Sequence, residues 1–312
     1  MNEKPKQTDQ PRKHGSRITV FLIIILSVAL AAAICFRVYL SVNDYLDYRK
    51  GLDVYADFDT LNDDVFPEYE PSDTDSQTEA ESEVESDTAQ TTTAVTEKPS
   101  ETAVATTAQT EAVTTAAKIY TFADFINQLK WLDSSYKNFY CWLRIKNTVI
   151  NYPVVQGDDN EYYLTHDIYG NRLSLGAIFA DYRCKNIEDA RNVVIYGHRA
   201  GYEIMFNDLA DYFNQSFFDS NPYIYIYTPQ YTYVYEVYAA YKSSMYSDFN
   251  RVYFNSDEDF LDHMNSFLKD AKFKRSVTLK SDDRILTLST CTNFNQSERY
   301  VVQSRRVSRT AN

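Results

Sequence analysis

The 195 residues from 118 to 312 predict a mostly β domain with few helices, closed or nearly closed into a barrel. Three observations predict it. About eight strand-like runs follow one another at short spacing, with few helical stretches between them. Tyr (27) and Phe (18) are abundant while Gly numbers only 7, which favours an aromatic-rich core over a loop-dominated architecture. Residues 118–312 carry 22 Lys+Arg against 23 Asp+Glu, so this stretch is nearly neutral although the whole chain of 312 residues has a net charge of −13. It is long enough for one sizeable core.

The elements follow in order. Thr121 is placed to cap a helix whose apolar positions, Phe122, Phe125, Ile126, Leu129 and Leu132, recur at spacings of three and four. The runs 139–145, 149–155, 176–182 and 192–198 read as strands, and 204–213 reads as a helix. Runs 223–228 and 231–241 alternate around Pro229-Gln230 and read as a hairpin. Ser256 followed by Asp257, Glu258 and Asp259 starts a helix reaching about Ala271, because acidic side chains favour a helix N-terminus. Three further strands are expected at 276–280, 284–290 and 299–307.

The preceding residues divide into two unlike blocks. Residues 18–36 contain no charge and, as a helix, span about 28 Å, close to the thickness of a bilayer core. Lys4, Lys6, Arg12, Lys13 and Arg17 precede this run, so residues 1–17 are expected to form a cytoplasmic tail and 18–40 a single-pass anchor, with the rest on the extracellular face. A cleaved signal peptide is the alternative, since Ala31 to Ala33 suit a peptidase. Residues 53–117 hold 17 acids against one Lys, and 70–119 hold no aromatic residue. Such a composition buries too little apolar surface to offset its ordering entropy. Residues 41–117 are therefore expected to be a disordered acidic stalk holding residues 118–312 off the membrane.

Composition and spacing exclude several functions. The net negative charge argues against nucleic-acid binding. Four Cys are too few for a disulfide scaffold, and neither Cys-x-x-Cys nor His-x-x-x-His spacing exists for a metal. There is no Gly-rich phosphate loop and no Gly-x-Ser-x-Gly elbow, so no cofactor is expected. His14 lies before the anchor and His263 sits within the expected 257–271 helix, which leaves His166 and His198 for extracellular chemistry. Among the cysteines, Cys35 is in the anchor, Cys141 lies inside an apolar strand and Cys184 sits in a polar loop. Cys291 ends an apolar strand, where a side chain can leave the core for a cleft.

Tyr196-Gly197-His198 ends one strand, Leu288-Ser289-Thr290-Cys291 ends another, and Arg299 opens a third. With Val154-Val155-Gln156, Asp159 to Leu164 and Gly176 to Asp181, these stretches resemble, in order, those of class B sortases. Sortases of this class are membrane-anchored cysteine transpeptidases of Gram-positive bacteria. The resemblance covers roughly residues 120–307 and implies a closed eight-stranded barrel with an N-terminal helix and an extra helix before the catalytic strand. Arg199-Ala200 after the histidine departs from many relatives.

The resemblance implies that Cys291 is the nucleophile, His198 the general acid/base and Arg299 the group that holds the substrate and stabilises the oxyanion. It places Asn160 and Leu164 against the sorting peptide and Ser289 in the lining of the site; Thr290 and Tyr246 are further expected substrate contacts. The implied donor is a secreted protein with a C-terminal sorting signal cut after Thr. The implied acceptor is an amine of a lipid-linked peptidoglycan precursor or of a wall cross-bridge. His166 competes for the histidine role. A pilin polymerase using a Lys amine, a purely hydrolytic Cys peptidase and a non-catalytic display module are the alternative functions.

Overall fold

The computed structural model describes residues 15–56, 65–71, 121–199, 202–291 and 297–312. Helix α1 (Gly15–Tyr55) comes first, then α2 (Phe122–Ser135), β1 (Phe139–Ile145), β2 (Asn151–Gln156), β3 (Phe179–Ala180) and β4 (Asn192–His198). Then come α3 (Gln215–Ser220), β5 (Tyr223–Tyr227), β6 (Tyr231–Ser244), α4 (Asp257–Asp270), β7 (Phe273–Lys274), β8 (Ile285–Cys291) and β9 (Glu298–Ala311). The sheet order is β5-β1-β2-β3-β4-β8-β9-β6-β7, and β5 also pairs with β6. Eight strands therefore close into a ring, with β7 an appendage on β6. Closure removes every free edge from the ring.

The aromatic composition is used to fill that ring. Trp142, Tyr227, Tyr233, Tyr235, Tyr238 and Phe179 are among the largest fully buried side chains. The long strand β6 takes two irregularities against β9, at Val234/Tyr235 and Val237/Ala239, of the kind that lets a long strand bend round a barrel. Helix α2 begins with a reciprocal capping box between Thr121 and Asp124. Its buried face, Phe125, Ile126, Leu129 and Leu132, covers one side of the barrel, with the Phe125 ring edge-on to Trp142 at 5.5 Å.

Three expected elements differ. The run 276–280 forms no strand. β6 is paired with β5 up to Glu236 and meets β7 at Ala239 and Ala240, so the closed ring offers no edge to the residues that follow. The run 176–182 contributes only two ladder residues, because Gly176 and Ala177 bond back to Leu173 and Tyr163. The expected helix 204–213 is a single 3-10 stretch, Asn207–Phe213, followed by α3 with Asn214 as its cap.

Parts of the expected stalk, 41–55 and 65–71, fall among the described residues and are ordered on the domain. Helix α1 runs unbroken past the apolar segment to Tyr55. It is the one helix among the described residues that is long and apolar enough to cross a membrane. Its last turns lie on the barrel domain: Tyr48 stacks on Tyr202 at 4.5 Å and Tyr55 meets Tyr152 edge-on at 5.0 Å. Phe66 is buried against Phe125 and Tyr227. The Tyr69 amide donates to the Tyr225 hydroxyl, while Phe122 packs on Tyr227. The chain on either side of residues 72–120 is thus fastened to the same strand, β5. Composition identified the segment but carried no information about where its two flanks dock. Residues 1–14, 57–64 and 72–120 lie outside the described residues.

Gly176 sits at φ +64°, and a Cβ there would lie 2.2 Å from the Tyr163 carbonyl oxygen. Gly176→Ala is expected to lower stability by about 2–3 kcal/mol, measured as a lower denaturant midpoint with unchanged slope.

Candidate active site

β4 and β8 run parallel, and their register pairs Val194 with Thr287, Tyr196 with Ser289 and His198 with Cys291. β9 runs antiparallel beside β8, pairing Leu288 with Val302 and Ser289 with Val301. Continuing that register by two residues sets Cys291 opposite Arg299. Arg299 in turn pairs with Ser243 at the end of β6. His198 and the Cys291–Arg299 pair, far apart in sequence, therefore come to one end of the barrel on three adjacent strands.

The two ring strands end together because their interiors are fixed by the same groups. Asn192 accepts from the Thr287 hydroxyl at 2.8 Å, and Thr287 is also reached by the Gln303 amide at 3.5 Å. On the next turn of the ladder the Ser289 hydroxyl is wholly buried and has no partner among the described residues. The Thr290 hydroxyl accepts the Tyr300 amide at 3.2 Å and so helps to pin the start of β9. Its side chain is buried, which makes it part of the β8–β9 seam. The Tyr300 ring lies between the Arg199 guanidinium at 5.4 Å and the Lys242 ammonium at 5.2 Å, with Phe213 edge-on at 4.7 Å. Arg199, which follows the histidine, is thus tied to the residue that follows Arg299.

His198 is half-buried, and burial lowers its pKa below the ordinary imidazole value, opposed by the Asp44 carboxylate on α1. The ring is neutral at neutral pH, the form that can accept a proton. His166 is placed otherwise. It stacks on Tyr162 at 4.1 Å, its Nδ1 lies 2.8 Å from the Tyr162 carbonyl oxygen, and its backbone bridges to Arg172. It organises its own loop and is remote in register from Cys291. His263 is wedged between Phe254 and Phe267 rather than among exposed neighbours. Cys141 and Cys184 are both buried; burial pushes the Cys184 thiol up to about 12, and its Sγ lies 3.4 Å from the Asn192 carbonyl oxygen. Cys184 therefore belongs to the core and not to a polar loop.

The expected substrate contacts separate into two groups. Leu164 (40% exposed) and Tyr246 (85% exposed) present their side chains to solvent. Asn160 is engaged at both ends of its amide: Nδ2 donates to Asp181 at 2.8 Å and Oδ1 accepts the Tyr182 amide at 3.0 Å. That pairing leads to a cluster which motif reading quoted but gave no role. Asp181 is fully buried, and its two oxygens accept five donors: the Arg183 amide, Nε and Nη2, the Asn160 amide and the Tyr196 hydroxyl. Asn250 donates to the same Tyr196 hydroxyl at 3.0 Å, and Arg183 also donates to the Asn250 carbonyl. Tyr196 precedes His198 by two residues on β4, so this cluster joins the 159–164 loop and the β6–α4 loop to the strand that carries the histidine. The signal available in the sequence was an acid ending the apolar run 176–180. Among the described residues no group of three or more His, Cys, Asp or Glu side chains converges to hold a metal.

The family profile described as the Sortase domain matches residues 143–307. The chain belongs to the sortase family, class B. It is 32% identical over 166 residues to sortase B of Staphylococcus aureus, covering 53% of this chain and 67% of the relative. It is 31% identical over 185 residues to sortase B of Listeria monocytogenes, covering 59% and 75%. The structure of the S. aureus sortase B–substrate complex superposes with a TM-score of 0.56 at 30% identity, over 58% of this chain and 85% of that one. The Clostridium perfringens sortase B structure superposes at 0.53, also at 30% identity, over 58% and 99%. This sortase is thus a cysteine transpeptidase, and the ring of eight strands is the sortase barrel, with α4 inserted before the strand that ends at Cys291.

Burial opposes ionisation of Asp181, but the hydrogen bonds from Arg183 and Asn160 outweigh it and hold the carboxyl below the usual range. A depressed pKa contributes stability above the unfolded value near 3.9, and that contribution is lost as pH falls through the folded value. Asp181→Asn is expected to cost about 2–3 kcal/mol at pH 7, discounted for the partial exposure of Arg183. It should also flatten the acid limb of the stability profile below about pH 4, read by thermal melts across pH.

Proposed function

We propose that this sortase cuts a C-terminal sorting signal after Thr, holds the protein as a thioester on Cys291 and passes it to an amine of the cell wall or its lipid-linked precursor. The observation that carries the reading is the shared register of His198 and Cys291 on parallel strands, with Arg299 opposite. Neutral His198 takes the proton of the Cys291 thiol, since the thiolate is the reactive form. The thiolate attacks the Thr carbonyl, and Arg299, charged at every relevant pH, stabilises the oxyanion. The C–N bond breaks as His198 returns the proton to the leaving amine. In the second half the acceptor amine attacks the thioester, its proton passes to His198, and Cys291 leaves. One peptide bond is broken and one is made, so no external energy source is needed.

Leu164 and Tyr246 are proposed to touch the sorting peptide, because their apolar surfaces are already open to solvent. Asn160 is proposed to shape the peptide site by holding its loop on Asp181, and Ser289 and Thr290 to line it from beneath. α1 is proposed to hold the chain in the membrane with its N-terminus inside and the barrel outside.

The full-length protein is mixed with a panel of sorting-signal peptides, with and without a Gly-type or diaminopimelate-type amine. Mass spectrometry is expected to find a peptide adduct on Cys291 that resolves to an amide when amine is present. Cys291→Ala is expected to form no adduct. His198→Gln is expected to lower turnover by roughly 10²–10⁴-fold and Arg299→Lys by roughly 10²–10³-fold. A folded protein that forms no adduct with any peptide would remove this assignment of the nucleophile.

A further inference from the structure

We propose that the second half of α1, Asp44–Tyr55, is a positioning strap for His198: it docks on the segment that leaves the histidine and holds the strand end that carries the imidazole. The proposal rests on His198 being the acid/base of the reaction proposed above.

The coupling runs through named contacts. Gly197 is packed under the Phe206 ring, where a Cβ would lie 2.5 Å from the ring, and the Phe206 amide donates to the His198 carbonyl at 3.0 Å. The segment 202–206 thus folds back on the strand end that carries the histidine. Its neighbour Met205, at φ +56°, is held by donation of its amide to the Tyr152 hydroxyl at 3.1 Å. α1 lies on this arrangement at three points. Tyr48 stacks on Tyr202, Gly51 brings the helix backbone against Leu175 and Ile204, and Tyr55 packs edge-on to Tyr152. Asp47 accepts from the Ser174 hydroxyl as a fourth tie. At Gly51 a Cβ would lie 3.0 Å from Leu175 Cδ1, which is why the smallest residue stands at the contact.

Among the described residues, Asp44 of α1 is the charged group that acts on the His198 ring, while backbone register sets Cys291 of β8 and Arg299 of β9 at the same end of the barrel. Arg199, next in the chain, turns to the Tyr300 ring. Asp44 favours the imidazolium and so opposes the effect of burial on the same ring. An exposed carboxylate does this without a hydrogen bond, and its influence weakens with salt. Asp44 stands seven residues beyond Arg37, about 10 Å along an unbroken helix that continues into the apolar run. The strap and the membrane span are one element.

The test is made on the full chain in lipid nanodiscs, with histidine side chains labelled for NMR and the His198 signal assigned by its loss in His198→Gln. Asp44 is exposed, so Asp44→Asn leaves packing intact. Its His198 titration midpoint is expected to move down, Asp44→Glu is expected to restore it, and high salt is expected to shrink the difference. The double variant Tyr48→Ala/Gly51→Leu is expected to lower the midpoint likewise and to speed amide exchange across residues 202–206. A His198 midpoint in folded Asp44→Asn that matches the parent would overturn the proposal, as would unchanged exchange at 202–206 in the double variant. These readouts need no turnover, so they stand apart from any failure of the proposed transpeptidation.

Discussion

A single buried carboxylate constrains much of this molecule. Asp181 is stripped of water at the end of β3, a change that costs several kcal/mol for an isolated charge. Five donors offset that cost, and each comes with a piece of structure attached. Asn160 brings the loop after β2, Tyr196 brings β4, and Arg183 brings Asn250 and with it the loop before α4. A surface ion pair would exert no such hold, because water would satisfy either partner alone. Here every partner must be in place together, so the loops at this end of the barrel are set by the same charge that sets the strand beneath His198.

The second constraint is the parallel pairing of β4 and β8. Parallel neighbours need a long crossover, and the chain supplies it with residues 199–284, which hold β5, β6, β7, α3 and α4. What the crossover achieves is alignment of two carboxyl ends at one level. A histidine that ends one strand and a cysteine that ends the other then share a register position. The antiparallel return of β9 brings an arginine to the same level from the opposite direction. In this way the three residues sit on strand ends of a closed barrel rather than on free loops, which fixes their spacing.

The chain before and after residues 72–120 is held on the barrel. The two flanks are held on β5 by Tyr69 and Phe122, while α1 reaches the domain independently and docks beside the histidine segment.

The sequence by itself determined the long apolar run, the capped helices α2 and α4, most of the barrel strands and the identity of the family, through short motifs whose chemistry is local. Periodicity and capping are properties of neighbouring residues, so they are legible without a fold. It also singled out His198, Cys291 and Arg299, because strand ends carrying reactive side chains in a known order are distinctive. Only the tertiary structure decided how these three meet, since register depends on which strands pair. The same holds for 276–280, whose strand-like pattern found no edge in a ring already closed. Asp181, Arg183 and Asn250 looked like ordinary polar loop residues because burial and partnership are relations between distant segments. The docking of Asp44–Tyr55 and Phe66 on the barrel was hidden for the same reason: composition shows that a segment cannot fold alone, and only the assembled surface shows what it folds against.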